Sequence, residues 1–441
     1  RQRVRREPMV EPVRHCPALL IGASASGQGK TTITAALARL HRLLGRRVRV
    51  FKAGADFEDP MLLSVAAGTP CRQLDLFLGG EAHCRQLLHQ AAGEADLILL
   101  EGVMGLFDGS PSSADLAELF GMPVAVVVDA AAMAQTFAAL AHGLASYRPQ
   151  LPFAGVVANG VAGEYHRGLL SAGLTPATPL LASLPRGADL ALPASAAELA
   201  DPAAWPDLKR RLDALARVLA DQPIAELPPP VAFPAVTAAS ASASLLAGVR
   251  IAVARDAAFA QLYAANLELL QRMGAELRLF SPLRDHRLPD CDSLYLPGGW
   301  IARHAAALAA NSGLLAAIRA HHQAGQPLLA EGEGMLLLLE SVTDRAGNRH
   351  RLAEVLPGQA TVGEQVRAVG PQQLALPEGE LRGNSYHCLT VRSATPVVAL
   401  GRCPNGGPIR EPVYRLGRLT ASCSQFYFPS NPTAIARLLL P

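Results

Sequence analysis

The chain has 441 residues, of which 50% are hydrophobic and 17% charged, and a formal net charge of +3. That length allows two domains with separate cores, and the composition excludes a disordered chain. So small a charge, with no basic stripe interleaved with aromatics, argues against nucleic acid, and no apolar run reaches the roughly 18 residues that cross a bilayer.

Residues 1–16, RQRVRREPMVEPVRHC, are Arg-rich but lack the apolar core of a secretory signal, so a disordered extension is expected, with Met9 a candidate start. Residues 17–225 alternate short Val/Ile/Leu runs (18–22, 48–51, 97–100, 124–128 and 155–158) with Ala/Leu-rich helical stretches. This is the pattern of an α/β domain with a buried parallel sheet. Residues 226–248 are rich in Pro, Ala and Ser and read as an interdomain linker. A second α/β pattern occupies residues 249–441, with strands expected at 250–254, 276–280, 293–296 and 327–330. Beyond about Ala353 shorter strands and more turns are expected. The seven cysteines (16, 71, 84, 291, 388, 403, 423) form no close CxxC pair. Neither zinc ligation nor a disulfide framework is expected, and the default setting is a reducing cytoplasm.

Residues 24–32 read SASGQGKTT, directly after the first apolar run and before a helical stretch at 33–43. That context makes a P-loop: backbone N–H groups and a helix N-terminus surround the phosphates of ATP. Ser26, Gly27, Gln28, Gly29, Lys30, Thr31 and Thr32 form the cradle, with Lys30 reaching the terminal phosphates and the Thr31 hydroxyl ligating Mg2+. The strict pattern has Gly where Ser24 stands. Lysine occurs only at positions 30, 52 and 209, against a background of Arg. A compact ammonium is therefore required at Lys30 and Lys52, both of which lie in motifs. Past the second run, FKAGADFEDPM supplies Lys52, Asp56, Glu58 and Asp59; past the third, EGVMGLFDG supplies Glu101 and Asp108. Ligands of open parallel sheets sit at the carboxyl ends of strands, so these loops converge on the P-loop. Carboxylates there serve the metal and ammonium groups the phosphate charge.

Together with AMAQT (132–136), ANGV (158–161), IAVARDAAFAQLYAANLELL, FSPL and YLPGG, these motifs resemble the cobyrinic or hydrogenobyrinic acid a,c-diamide synthases over nearly the whole chain after residue 16. The resemblance implies a P-loop amide synthetase domain, similar to dethiobiotin synthetase, followed by an α/β class I glutamine amidotransferase-like domain. It implies activation of carboxylates a and c of a corrinoid precursor as acyl phosphates, and their amidation, in cobalamin biosynthesis. Carried over by position, Asp56 and Glu101 become metal-associated acids beside Thr31. Asp59 and Asp108 come to lie near the acyl-phosphate chemistry, and Asn159 near the nucleotide base.

This sequence also departs from the family pattern. Ala55 and Glu58 replace a proline and an aliphatic residue in the loop after the second strand, and Gly160 stands where relatives have Arg. The glutaminase turn AECGGM has become AEGEGM, with Gly332 at the nucleophile position. The catalytic motif ASYxHxHF has become ASCSQFYF, with Gln425 and Tyr427 at the two histidine positions. RGHEFHYS has become RGNSYHCL, which keeps His387, and PGGYPE has become PGGWIA. Cys388 and Cys423 lie off the nucleophile turn, so a relocated nucleophile is not expected. Three readings stand. The first is an amide ligase for a tetrapyrrole carboxylate fed by free ammonia or an external source. The second is a relative that binds nucleotide or tetrapyrrole without catalysis, or that amidates another macrocycle such as sirohaem. The third is a generic P-loop protein of the dethiobiotin-synthetase or MinD kind, against which the second domain argues. A homodimer stays open.

Overall fold

The computed structural model describes residues 12–187, 190–193, 196–236 and 244–441. The chain divides into two compact units, the second made of Ala239–Pro441 together with the short segments Phe77–Gly80 and Ser195–Ala204. No helix among the described residues is long and apolar enough to cross a membrane.

The first unit is an eight-stranded sheet. Its strands are β1 (Arg14–Ala23), β2 (Val48–Ala53), β3 (Arg72–Leu74), β4 (Leu97–Glu101), β5 (Val124–Asp129), β6 (Phe153–Val161), β7 (Leu180–Pro185) and β8 (Pro230–Phe233). Seven run parallel in the order β3-β2-β4-β1-β5-β6-β7. Helices on both faces explain the unbroken apolar runs: every residue of β4 is buried, as are Val124–Val128 of β5. Each such Val, Leu or Ile contributes roughly 1.5–3 kcal/mol through burial. Helix α1 (Lys30–Leu43) follows β1, and α2 (Glu58–Ala67) follows β2.

Two boundaries differ from the sequence expectation. Arg14, His15 and Cys16, expected in a disordered extension, belong to β1 and pair antiparallel with β8, which falls within the expected linker. A proline-rich stretch can serve as a strand when it lies at an edge, where a missing N–H breaks no ladder, and PVAF does so here. Residues 1–11 of the extension, Met9 among them, and residues 237–243 of the linker lie outside the described residues.

The second unit is built on β9 (Arg250–Ala254), β10 (Glu276–Phe280), β11 (Ser293–Leu296) and β12 (Leu328–Glu331). These lie parallel in the order β10-β9-β11-β12 and continue into Leu419–Ser422, Pro412–Leu416 and Val397–Leu400. Beyond Ala353 the strands are not uniformly short. Ala368–Leu376 and Gly379–His387 form a full antiparallel hairpin of nine residues a side, and Gln425–Tyr427 pairs with its second strand.

Candidate functional site

Sheet register assembles the first site. In the β2–β4 pairing Lys52 lies directly opposite Glu101, and in the β1–β4 pairing Glu101 lies opposite Ile21, just ahead of the P-loop. Between β1 and α1 the chain turns through Gly27 and Gly29, both with positive φ. Gly29 is required twice over. Its φ is +102°, and a Cβ there would stand 2.5 Å from Asn159 Nδ2. The residues 25–27 at the tip are exposed, while Lys30 is only 9% exposed.

Four of the expected residues form one cluster, in which Lys52 and Glu101 are buried and Thr31 and Asp59 half-buried. Thr31 Oγ1 donates to Glu101 Oε1 at 2.8 Å, and Lys52 Nζ contacts the same oxygen at 2.8 Å. Lys52 also bridges to Asp59 Oδ2 at 2.8 Å and donates to the Gly102 carbonyl at 3.3 Å. Burial disfavours the Lys52 ammonium, but Glu101 and Asp59 outweigh it and hold the group well above its ordinary range. Glu101 is fully buried, and desolvation pushes its carboxyl up to about 7 in spite of Lys52. Burial also opposes the Asp59 charge, yet Lys52 keeps this carboxyl below its usual range.

Asp56 stands beside this cluster in a different role. Its two oxygens accept the backbone N–H groups of Glu58 and Asp59, at 3.0 and 3.1 Å, and so cap the start of α2. Burial, then the Asp59 charge, raises its pKa. Glu58 is exposed in the first turn of α2, where the helix dipole favours a carboxylate, so this departure has a local structural reason. Asp108 Oδ2 accepts from Gly105 N–H at 3.1 Å and braces the loop after β4. Lys30 Nζ donates to the Met104 carbonyl of that loop at 2.8 Å; burial, then the nearby Lys52 charge, lowers its pKa.

Gln28 points sideways, not into the loop. Its carboxamide oxygen accepts from Ser24 Oγ at 3.1 Å and from Asp129 N–H at 2.8 Å, and its carbonyl accepts from Asn159 Nδ2 at 2.9 Å. The P-loop is thereby tied to the ends of β5 and β6, where Asp129 and Asn159 stand in register. Thr32, Asp129, Asn159 and Arg186 line an adjoining cavity of about 220 Å³ whose other walls include Leu190 and Leu215. Asp129 and Arg186 escaped the sequence reading. The position of Asp129 at the carboxyl end of a strand was the available signal.

A divalent cation fits this donor set. Thr31, Asp56, Asp59 and Glu101 offer the hard oxygen ligands that magnesium requires. Among the described residues nothing donates to Glu101 Oε2, although the atom is buried. A buried carboxylate oxygen without a partner is costly, and a cation beside it removes that cost. A polyphosphate lying on the turn would take Lys30 away from the Met104 carbonyl.

In the second unit β12 runs into a turn at Gly332, the residue expected from the sequence at the nucleophile position. Gly332 follows β12 with φ +56°, a left-handed conformation in which a side chain is strained. A Cβ there would meet Gln425 Cγ and Nε2, each at 3.0 Å, and Gly298 Cα at 3.1 Å. The Gln425 side chain thus fills the space above the turn. The backbone next to it is held by Glu331, which accepts from Tyr295 Oη at 2.5 Å and from Phe426 N–H at 2.8 Å. Cys388 and Cys423 are both free thiols, and burial pushes the Cys423 thiol far up.

Comparison with known proteins agrees with this division. Residues 19–199 match the CobQ/CobB/MinD/ParA nucleotide binding domain, and residues 250–402 match the CobB/CobQ-like glutamine amidotransferase domain. A hydrogenobyrinate a,c-diamide synthase of Stutzerimonas stutzeri is 56% identical, over 97% of this chain and 99% of its own. One from Pseudomonas aeruginosa is 55% identical, over 97% and 98%. A cobyrinate a,c-diamide synthase of Herminiimonas arsenicoxydans is 42% identical, over 98% and 99%. Among solved structures, a glutamine amidotransferase aligns to 43% of this chain and 96% of its own at 20% identity, with a TM-score of 0.29.

Proposed function

The chain belongs to the hydrogenobyrinate and cobyrinate a,c-diamide synthase family, and from that premise we propose that it uses ATP to amidate carboxylates a and c of a corrinoid precursor with ammonia not made by its own second unit. The carrying observation is the Thr31–Glu101–Lys52–Asp59 cluster beneath a P-loop, with Glu101 Oε2 left for a cation.

In this reading a substrate carboxylate attacks the γ-phosphorus of ATP, the bond to the β–γ bridging oxygen breaks, and ADP leaves. Ammonia then adds to the acyl carbon and loses a proton, and inorganic phosphate departs as the amide forms. Two anions must approach in the first step, so screening is the main catalytic need. Lys30 follows the terminal phosphate. Lys52 keeps Asp59 ionised and holds both Asp59 and Glu101 in place. Magnesium held by Thr31, Asp56 and Glu101 would neutralise phosphate charge. Asp108 keeps the loop after β4 closed toward the acyl-phosphate position, and Asn159 with the adjoining cavity receives the base.

The absent nucleophile supports the ammonia assignment. Gly332 has no side chain to attack glutamine, and Gln425 offers no base. Loss of a triad nucleophile costs on the order of 10⁶-fold in turnover. The test incubates the protein with ATP, Mg2+ and hydrogenobyrinic or cobyrinic acid, with either ammonium or glutamine, and follows amidation by mass. Product with ammonium alone supports the proposal, and product with glutamine refutes the ammonia assignment. No product from either source favours a nucleotide-binding relative without catalysis, unless a sirohaem-type substrate is amidated in the same assay.

A further inference from the structure

Cysteine spacing offers no metal pattern, yet the fold of the second unit sets one cysteine against a histidine and a glutamate. His387 ends the strand Gly379–His387, Glu411 immediately precedes Pro412–Leu416, and Cys423 follows Leu419–Ser422. One potential ligand atom from each lies within 4.8 Å of the other two. His387 Nε2 and Glu411 Oε1 are 3.0 Å apart, and Glu411 and Cys423 are each 6% exposed. Cys423 stands where the family motif ASYxHxHF has Tyr. One of the three groups is thus a departure from the family's glutaminase motif.

Imidazole, thiolate and carboxylate together suit zinc, whereas oxygen-only sets suit magnesium or calcium. We propose that His387, Glu411 and Cys423 bind a zinc-like divalent cation, with the fourth position left to water. Ligation releases the Cys423 thiol proton to solvent. It moves the imidazole proton from Nε2 to Nδ1 and gives up the 3.2 Å bond that Nδ1 accepts from Leu389 N–H. The thiolate and the Glu411 carboxylate match the two positive charges, as a buried site requires. The ligands come from the ends of three separate strands, so the cation acts as a staple between them. This inference is independent of the amide-forming reading.

The test titrates the whole protein, stripped with a chelator, with Co2+. A thiolate-to-cobalt charge-transfer band in the near ultraviolet is expected, saturating at one cation per chain and bleached by Zn2+. It should vanish in Cys423→Ser and persist in Cys388→Ser. Cobalt on the oxygen ligands of the P-loop site produces no such band, so the two sites are distinguished. Zn2+ at about a hundredfold excess over its Kd should raise the Tm by on the order of 5 °C. If Cys423→Ser does not fold, His387→Gln replaces it, and the wild-type titration stands without either. No band in the wild type, or a band that survives in Cys423→Ser, overturns the proposal.

Discussion

Replacing Lys52 by Met tests the cluster at its centre. Lys52 is 4% exposed and makes three contacts: Glu101 and Asp59, each at 2.8 Å, and the Gly102 carbonyl at 3.3 Å. Methionine matches its volume but removes the charge, leaving Glu101 fully buried with neither oxygen facing a cation. Breaking a buried pair by deleting one partner costs about 3–5 kcal/mol, because the remaining charge is uncompensated. With a urea m-value of about 2–3 kcal/mol/M, the unfolding midpoint of the first unit should fall by about 1–2 M. Adding Glu101→Gln removes the stranded charge, so the double variant should recover more than half of that loss. It should not recover the ADP release expected under the proposed function, in which both groups take part. Urea unfolding of the two single variants and the double variant, alongside ADP release, makes the cycle. A Lys52→Met midpoint within about 0.3 M of wild type, or a double variant no more stable than the single, would refute the reasoning.

Gly29→Ala places a Cβ 2.5 Å from Asn159 Nδ2 at φ +102°. With about 1–3 kcal/mol of strain, ATP affinity should fall roughly 5- to 150-fold by calorimetry, and Asn159→Ala in the same chain should restore only part of it. His41 is buried beside Arg46, whose Nη1 is 2.6 Å from Nδ1. Burial, then the Arg46 charge, lowers its pKa to about 4. The unfolded chain binds this proton first, so stability present above about pH 6.5 is lost as pH falls toward 4, by about 3 kcal/mol. His41→Gln, which keeps an acceptor for Arg46, should flatten that part of the urea stability profile. Gly332→Cys forces a side chain into φ +56° and against Gln425. It should lower stability by about 1–3 kcal/mol without releasing glutamate from glutamine, since no base is supplied; glutamate release would show that one is present.

Much of this protein was written in local patterns. The runs at 250–254, 276–280 and 293–296 are strands within those bounds; the first and last are almost wholly buried, and strands buried on both faces need unbroken apolar residues. The P-loop is visible for a similar reason: its turn needs glycine at fixed offsets and a lysine at the helix start. That glycine stands at position 332 could likewise be read directly, since it is one residue. The edge strand Pro230–Phe233 was not legible, because its composition is that of a linker and only the partner Arg14–Pro17 makes it a strand.

Contacts between distant residues belonged to the tertiary structure. Register set Lys52 opposite Glu101, and Lys52 drew Asp59 into the ion cluster while Asp56 capped α2. Both aspartates lie in one acidic run, and sequence cannot tell which of them a neighbouring strand's ammonium will reach. Gln28 became a tether only because the ends of β5 and β6 stand beside it. His387, Glu411 and Cys423 share no spacing, and three strand ends bring them together. The sequence by itself determined the alternation of strands and helices, the phosphate turn and the glycine at position 332, because each depends on residues adjacent in the chain. The ion pairs, the plug over Gly332 and the His–Glu–Cys cluster were decided by packing, since electrostatic and steric partners are chosen by distance in space.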